Sequence, residues 1–224
     1  DLGTSGGIVS RGQLDNLALP GEGASLRLLA GAGSQGLNAT AALDRILLRL
    51  ETDPGDDTAL WLARWLVGDE TLTSATALAA VRQLDARDES AQTERVVAML
   101  YTALRETGRQ ANQPDSRYAG DFARGYAALE TIFPGVEEKN PDGSFRHYKG
   151  DINLFASRVK TEQGGDIQFL VPGGDVIVGL VNTPAQLVEA TPGQTLDVLG
   201  IVVGDEGSIQ GAARQDVLVN QSRI

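Results

Sequence analysis

The sequence predicts an α+β fold in which a stack of short β coils, a solenoid, carries an inserted all-α helical domain. One observation is a glycine–aspartate pair followed at once by a short apolar run, which occurs at Gly150-Asp151, Gly165-Asp166 and Gly174-Asp175. Coils this small bury their apolar faces only when one stacks on the next. A second observation is that strand-like runs give way to helix-like periodicity near residue 37 and return after residue 147. This order predicts a helical insertion in one loop of the stack.

The composition is typical of a folded chain with many tight corners. The 224 residues include 27 glycines, whereas aromatic residues make up only 5%. Because glycine accepts the positive φ angles of sharp turns, we expect frequent corners around an aliphatic core. No run of the sequence is long and apolar enough to cross a bilayer as a helix, so membrane insertion is not expected.

Charge and cysteine content exclude several classes of function. The net charge of -11 argues against nucleic acid as a partner, because such proteins need Lys and Arg to displace counterions from phosphates. Anionic membrane surfaces are disfavoured for the same reason. The chain has no cysteine, which excludes disulfide bonds, thiolate metal sites and cysteine nucleophiles.

Residues 1–36 are predicted to be strands belonging to the β coils. The alternation of Leu26 and Leu28 with Ser25 and Arg27 is typical of a strand with one buried face. The sequence begins without a secretion signal and ends without a polar cap, so we expect it to be part of a longer protein.

Residues 37–135 predict an inserted helical bundle with five amphipathic helices. Leu43, Ile46, Leu47 and Leu50 form one apolar stripe, and Asn38 is the predicted N-cap before it. Four further helices are expected. The second begins after Asp57 or Thr58, the third begins after Thr73, and the fourth runs from about Ser90 to Thr107. The fifth carries on one side Tyr118, Phe122, Tyr126, Leu129 and Phe133.

The last part of the chain is predicted to return to the coils. Residues 136–147 read as a turn-rich linker and residues 148–224 as β coils. The segment 182–196, with its two prolines, is expected to be a loop outside the stack.

The corner residues Gly150, Asp151, Gly165, Asp166, Gly174 and Asp175 allow a structural and a chemical interpretation. As structural residues, the aspartates accept hydrogen bonds from backbone N–H groups of a tight corner. As chemical residues, stacked carboxylates bind calcium or act as acid and base on a polysaccharide. The intervening glycine of the calcium-binding nonapeptide repeat is missing, and the structural interpretation is favoured.

Trp61 and Trp65 form a candidate partner surface, because a spacing of four residues places both indoles on one helix face. Such a pair serves either as an aromatic platform for a sugar or partner, or as core packing. His147 is the chain's one histidine, which leaves little room for a histidine metal cage. No catalytic residue, cofactor or metal site is predicted.

Residues 150–167 carry a resemblance to a known family. Together with four further motifs, this stretch resembles the C-terminal region of filamentous-haemagglutinin-family exoproteins of the two-partner secretion type. The further motifs are Leu170-Val171-Pro172-Gly173-Gly174, Leu199-Gly200-Ile201-Val202, Val217 to Arg223, and Ala123 to Leu129 with Phe133-Pro134-Gly135.

The resemblance implies a right-handed parallel β-helix in a very large exoprotein, secreted or displayed at the cell surface of a Gram-negative bacterium. It also implies export through an outer-membrane secretion partner, and a role in adhesion, biofilm formation or delivery of a C-terminal toxin. We therefore expect a non-enzymatic structural and adhesive segment, with a host or bacterial surface receptor as partner. A β-helical enzyme that acts on polysaccharides through stacked carboxylates is the alternative.

Overall fold

The computed structural model describes residues 7–13, 17–18, 20–33, 36–139, 141, 145–146, 148–155, 157–179, 199–220 and 224. The chain divides into two compact units. The first, here the sheet unit, comprises Asp1–Ala32 with Tyr148–Ile224, and the second, the helical unit, comprises Gly33–His147.

The strands are short, from two to five residues each. In chain order they are β1 Ile8–Ser10, β2 Leu26–Leu29, β3 Val136–Lys139, β4 Phe145–Arg146, β5 Ile152–Leu154, β6 Arg158–Thr161, β7 Ile167–Val171, β8 Val176–Val178, β9 Gly200–Val203, β10 Ile209–Ala213 and β11 Val217–Val219.

Within the described ranges, the sheet unit consists of three parallel sheets with three strands each. The strand orders are β1-β6-β9, β2-β7-β10 and β5-β8-β11. The central strands β6, β7 and β8 follow one another in the chain, and each is flanked by one earlier and one later strand. The stretch that contains these three strands therefore forms the middle of all three sheets.

One apolar core is shared by the three sheets. Its buried members are Ile152, Leu154, Val159, Ile167, Phe169, Val171, Val176, Val178 and Ile201. The alternation of buried and partly exposed residues in β6 and β8 shows that one face of each strand points to this core. Each fully buried aliphatic side chain stabilises the fold by about 1.5–3 kcal/mol.

The predicted fold class, a parallel β-helix (solenoid) with an inserted all-α domain, is wrong. The part of the chain that the structure describes has three short parallel sheets and five helices, and no solenoid is evident in it. A solenoid repeats one coil length, whereas hydrogen-bonded corners of neighbouring strands here lie 24, 41, 42 or 141 residues apart. The sequence pattern predicts successive coils at the three glycine–aspartate corners, but Asp166 precedes a strand of a different sheet from Asp151 and Asp175.

Five helices are described in the helical unit. They are α1 Ala39–Thr52, α2 Asp57–Val67, α3 Ser74–Asp85, α4 Glu89–Ala111 and α5 Ala123–Ile132. Their largest fully buried side chains are Leu43, Ile46, Leu62, Leu66, Met99, Leu100 and Ile132. β3 and β4 also lie in this unit and pair in antiparallel orientation, within the segment predicted as a linker.

Helix starts follow the expected capping chemistry with some shifts. The Oδ1 atom of Asn38 accepts a hydrogen bond from the Ala41 backbone N–H at 2.9 Å, so the predicted N-cap of α1 is confirmed. The N-cap of α2 is Asp56, one residue before the earlier of the two predicted caps. α5 begins at Ala123, because the segment before it forms hydrogen-bonded turns that include the predicted helical residue Tyr118.

Candidate functional site

Three aspartates form a row of hydrogen bonds across the start of the sheet β5-β8-β11. The Oδ1 atom of Asp151 accepts the backbone N–H of Asp175 at 2.9 Å. The Oδ1 atom of Asp175 in turn accepts the backbone N–H of Asp216 at 2.8 Å. Each carboxylate therefore ties its own corner to the next strand of the same sheet.

Asp166 holds the equivalent place in the sheet β2-β7-β10. Its backbone N–H donates to the Ser25 hydroxyl at 3.0 Å, and its Oδ1 atom accepts from the backbone N–H and the hydroxyl of Ser208 at 2.8 and 2.9 Å. Ser208 and Asp216 were not predicted from the sequence. The sequence pattern that could have indicated these corner residues is a short polar side chain directly before a strand.

The glycines of these corners meet two different requirements. Gly165 adopts φ +95°, a left-handed conformation that favours glycine. Gly174 needs space: a Cβ atom there would overlap the Asp151 carboxylate and lie 2.7 Å from the Gly150 carbonyl oxygen. At Gly174 the missing side chain lets the carboxylate of the neighbouring corner approach the backbone.

The corner carboxylates leave few groups free for chemistry. A cavity of about 600 Å³ opens beside Asp166 and is lined by carboxylates of Glu22, Asp166, Asp205 and Glu206, with no Lys or Arg in its lining. Across the described ranges, no group of three or more His, Asp or Glu side chains is arranged to hold a metal ion. The carboxylates that line the cavity repel an acidic substrate.

Trp61 and Trp65 line a second cavity, which lies within the helical unit. Both side chains are half-buried on α2. The cavity has a volume of about 830 Å³, and we call it the arginine–aromatic cavity. Its lining is Trp61, Arg64, Trp65, Glu70, Gln110, Gln113, Pro114, Asp115, Ser116, Arg117, Tyr118 and Arg124.

Arginine side chains cover the aromatic rings of this cavity. The guanidinium carbon of Arg124 lies 4.2 Å from the ring centroid of Trp61 and 4.7 Å from that of Tyr118. The guanidinium carbon of Arg117 lies 4.6 Å from the Tyr118 centroid. These distances fall within the range of cation–π attraction. Trp61 is therefore a ring that holds an arginine, and not a bare aromatic platform.

Partial burial affects the charge of Arg124. Burial lowers the pKa of Arg124 from its ordinary value, and the nearby charge of Arg117 acts in the same direction. Tyr118, Asp57 and Asp121 oppose this shift. Because the ordinary pKa of arginine lies far above neutral pH, the guanidinium remains charged at neutral pH.

Arg117, Tyr118 and Arg124 are site residues that were not predicted from the sequence. Tyr118 was expected on the apolar side of a helix, but it lies in the turns before α5. The sequence pattern that could have indicated these site residues is the alternation of arginine and tyrosine around this loop. His147 and the segment 182–196 lie outside the described residues.

No helix among the residues with described structure is long and apolar enough to span a membrane.

Comparison of the chain with protein-family models, curated proteins and solved structures found no match in any of the three. The resemblance to filamentous-haemagglutinin-family exoproteins stays a prediction that depends on the quoted motifs.

Proposed function

We propose that the chain is a non-enzymatic structural and adhesive segment of a large bacterial exoprotein, secreted or displayed at the cell surface. The observation that carries the proposal is the use of the corner carboxylates. Asp151, Asp166 and Asp175 each accept a backbone N–H of the next strand, at 2.8–2.9 Å. A carboxylate engaged in this way stabilises a corner and is not positioned as an acid or base on a substrate.

The two units divide the proposed role between them. The sheet unit is the scaffold, because its polar corners bond one strand to the next and its apolar residues share one core. The helical unit, with Trp61 and Trp65, carries the proposed partner surface. The resemblance described above motivates the expectation of an outer-membrane secretion partner and of a receptor on a host or bacterial surface.

An enzyme acting on polysaccharides is the less favoured function. General acid–base cleavage of a glycoside needs two carboxylates on either side of the bond. Here Asp151 and Asp175 are joined through a backbone N–H, and the cavity beside Asp166 is lined by like charges. Neither arrangement favours binding of an acidic glycan.

Replacement of Asp175 separates the structural from the catalytic role. Asp175→Ala removes the acceptor for the Asp216 N–H, and we expect the free energy of unfolding to fall by about 1 kcal/mol. Asp175→Asn keeps an oxygen acceptor, so its unfolding free energy should stay close to that of the original chain. Urea denaturation measures both values.

The same variants test for catalysis. We expect no release of reducing ends when the original chain is incubated with an acidic polysaccharide. Release that disappears in a folded Asp175→Asn variant would overturn the non-enzymatic proposal.

Adhesion is tested with the intact chain. Beads coated with the chain should bind to bacterial or epithelial cells more than beads coated with albumin, another acidic protein. Equal binding of the two kinds of bead to both cell types would refute the adhesive part and leave the scaffold role in place.

A further inference from the structure

Two arginines of the helical unit have no hydrogen-bond partner for their N–H groups among the described residues. Arg117 and Arg124 both lie over the Tyr118 ring, and neither makes a hydrogen bond or ion pair with another described residue. The chain has 30 acidic residues and only 19 basic ones, so carboxylates are abundant. Arg49 and Arg82, by contrast, each pair with a carboxylate. Asp57 and Asp121 act on Arg124 only through space, so the N–H groups of both arginines can still bind an anion from solution.

The rings hold these arginines without using their N–H groups. Arg124 is stacked on both Trp61 and Tyr118, and stacking engages the face of a guanidinium. The N–H groups at its edge remain available for the two oxygens of a carboxylate or phosphate. This arrangement is preorganised, because the stacked side chains lose little further freedom on binding.

The shape and lining of the cavity fit a small molecule. Its volume of about 830 Å³ lies within the usual range of small-molecule sites. Three arginines and two carboxylates line it, so its lining is positively charged in a chain of net charge -11. The Nε and Nη2 groups of Arg64 donate to the Leu72 carbonyl oxygen, whereas Arg117 and Arg124 make no such hydrogen bond with another described residue. Trp65 and Pro114 contribute apolar surface to the wall of the cavity.

We propose that the arginine–aromatic cavity binds a small ligand in which an oxyanion is attached to a sugar or aromatic ring. Arg117 and Arg124 bind the oxyanion, and the aromatic and proline side chains contact the ring. The inference goes beyond the proposed scaffold and adhesive role. It concerns the same cavity as the proposed partner surface, but it is argued from the arginine and aromatic side chains and does not depend on adhesion.

The two tryptophans of the chain, Trp61 and Trp65, both line the cavity, so intrinsic fluorescence reports on this site. The full chain is titrated with glucuronate and with benzoate, which carry a carboxylate on a sugar and an aromatic ring. Glucose and benzyl alcohol are the neutral counterparts, and acetate and inorganic phosphate test the anion without a ring. We expect saturable binding of glucuronate or benzoate with a dissociation constant of about 1 mM or tighter.

Single substitutions test the two arginines. Arg117→Gln changes an exposed side chain, and Arg124→Gln a half-buried one. Each should weaken binding by about tenfold, which corresponds to about 1.4 kcal/mol. Arg105→Gln is the matched control, because Arg105 is exposed, also belongs to the helical unit and does not line the cavity. If Arg124→Gln unfolds the chain, Arg117→Gln and the salt dependence of binding still test the proposal.

Each outcome supports or overturns the proposal. Binding of one ring-bearing acid that is lost in Arg117→Gln and retained in Arg105→Gln supports it, and the other acid then shows which kind of ring is preferred. Equal binding of the neutral counterparts would reduce the site to an aromatic platform. Binding of acetate or phosphate as tight as that of the ring-bearing acids would show that the ring is irrelevant. Those two results, or no binding of any probe, overturn it.

Discussion

Two buried threonines of the helical unit differ in whether their hydroxyl groups have a partner. The Thr131 hydroxyl donates to the Ala127 carbonyl oxygen at 2.7 Å and lies 3.5 Å from an Arg49 nitrogen. The Thr107 hydroxyl is buried and has no hydrogen-bond partner among the described residues. A buried polar group without a partner costs about 1–3 kcal/mol.

The two threonines give opposite predictions for the same substitution. Thr107→Val removes the unpaired hydroxyl at nearly constant volume, and we expect the free energy of unfolding to rise by about 1 kcal/mol. Thr131→Val breaks a hydrogen bond and should lower it by a similar amount. Urea denaturation of both variants measures the difference. Equal destabilisation by the two substitutions would contradict this account of Thr107.

At the scale of residues, the sequence predicted local roles better than partners. The cap at Asn38 follows from its own position, because the N–H groups it satisfies lie within the next turn. The environments of Thr107 and Thr131 could not be predicted, because a hydroxyl partner depends on packing between helices. The arginines on Tyr118 were missed for the same reason.

At the scale of elements, Asp56 joins the end of one helix to the start of the next. Its carboxylate caps α2 through the Ala59 N–H at 2.9 Å. It also accepts two hydrogen bonds from Arg49 of α1, at 2.7 and 2.9 Å. Partial burial alone raises the pKa of Asp56, but the hydrogen bonds from Arg49 and the backbone outweigh burial, and the pKa is lowered overall.

This lowered pKa predicts how stability depends on pH. The folded-state pKa of Asp56 lies below the unfolded value of about 3.9. The stability contributed by the ionised group is therefore complete well above that value and is lost as pH falls through the folded-state pKa. Asp56→Ala should lower the free energy of unfolding by about 1–2 kcal/mol at pH 7, and the difference should shrink in acid.

Asp56→Asn is the control for this experiment, since it keeps the cap and removes the charge. Denaturant titrations between neutral and acidic pH measure all three chains. A constant difference between the original chain and Asp56→Ala down to the lowest pH would refute the assigned role of the ionised carboxylate.

Helices were easier to predict than sheets for a physical reason. The stripe of Leu43, Ile46, Leu47 and Leu50 depends on residues within one helix. Leu43, Ile46 and Leu50 are buried as predicted, and Leu47 is half-buried. The pairing of parallel strands depends on contacts far apart in the chain. Gly165-Asp166 looks locally like Gly174-Asp175, yet Asp166 bonds to Ser25 and Ser208 in a different sheet. Local pattern alone therefore grouped these corners wrongly.

At the scale of the whole molecule, the strand β11 presents an exposed apolar edge. Val217, Leu218 and Val219 are 45–49% exposed, and among the described strands β11 pairs only with β8. An edge strand with apolar side chains and unpaired backbone groups tends to pair with another chain. Leu218→Lys should therefore reduce concentration-dependent self-association.

The control for this prediction is Leu48→Lys on α1. Leu48 is 62% exposed, so the chemical change is the same but no strand edge is altered. Sedimentation at several protein concentrations measures self-association of both variants. Equal association of the Leu218 variant and the original chain would exclude this edge as the cause.

The central position of β6, β7 and β8 also constrains the order in which the chain folds. Each of these strands must be extended before its two flanking strands can pair with it, and the partner of β7 on one side, β2, lies far away in the chain. The five described helices, which lie between β2 and β7 in the chain, depend on local contacts that form quickly, whereas distant parallel pairing is slow. We therefore expect the stretch from β6 to β8 to act as the template of the three sheets, and β1 and β2, which precede the helices in the chain, to join it late.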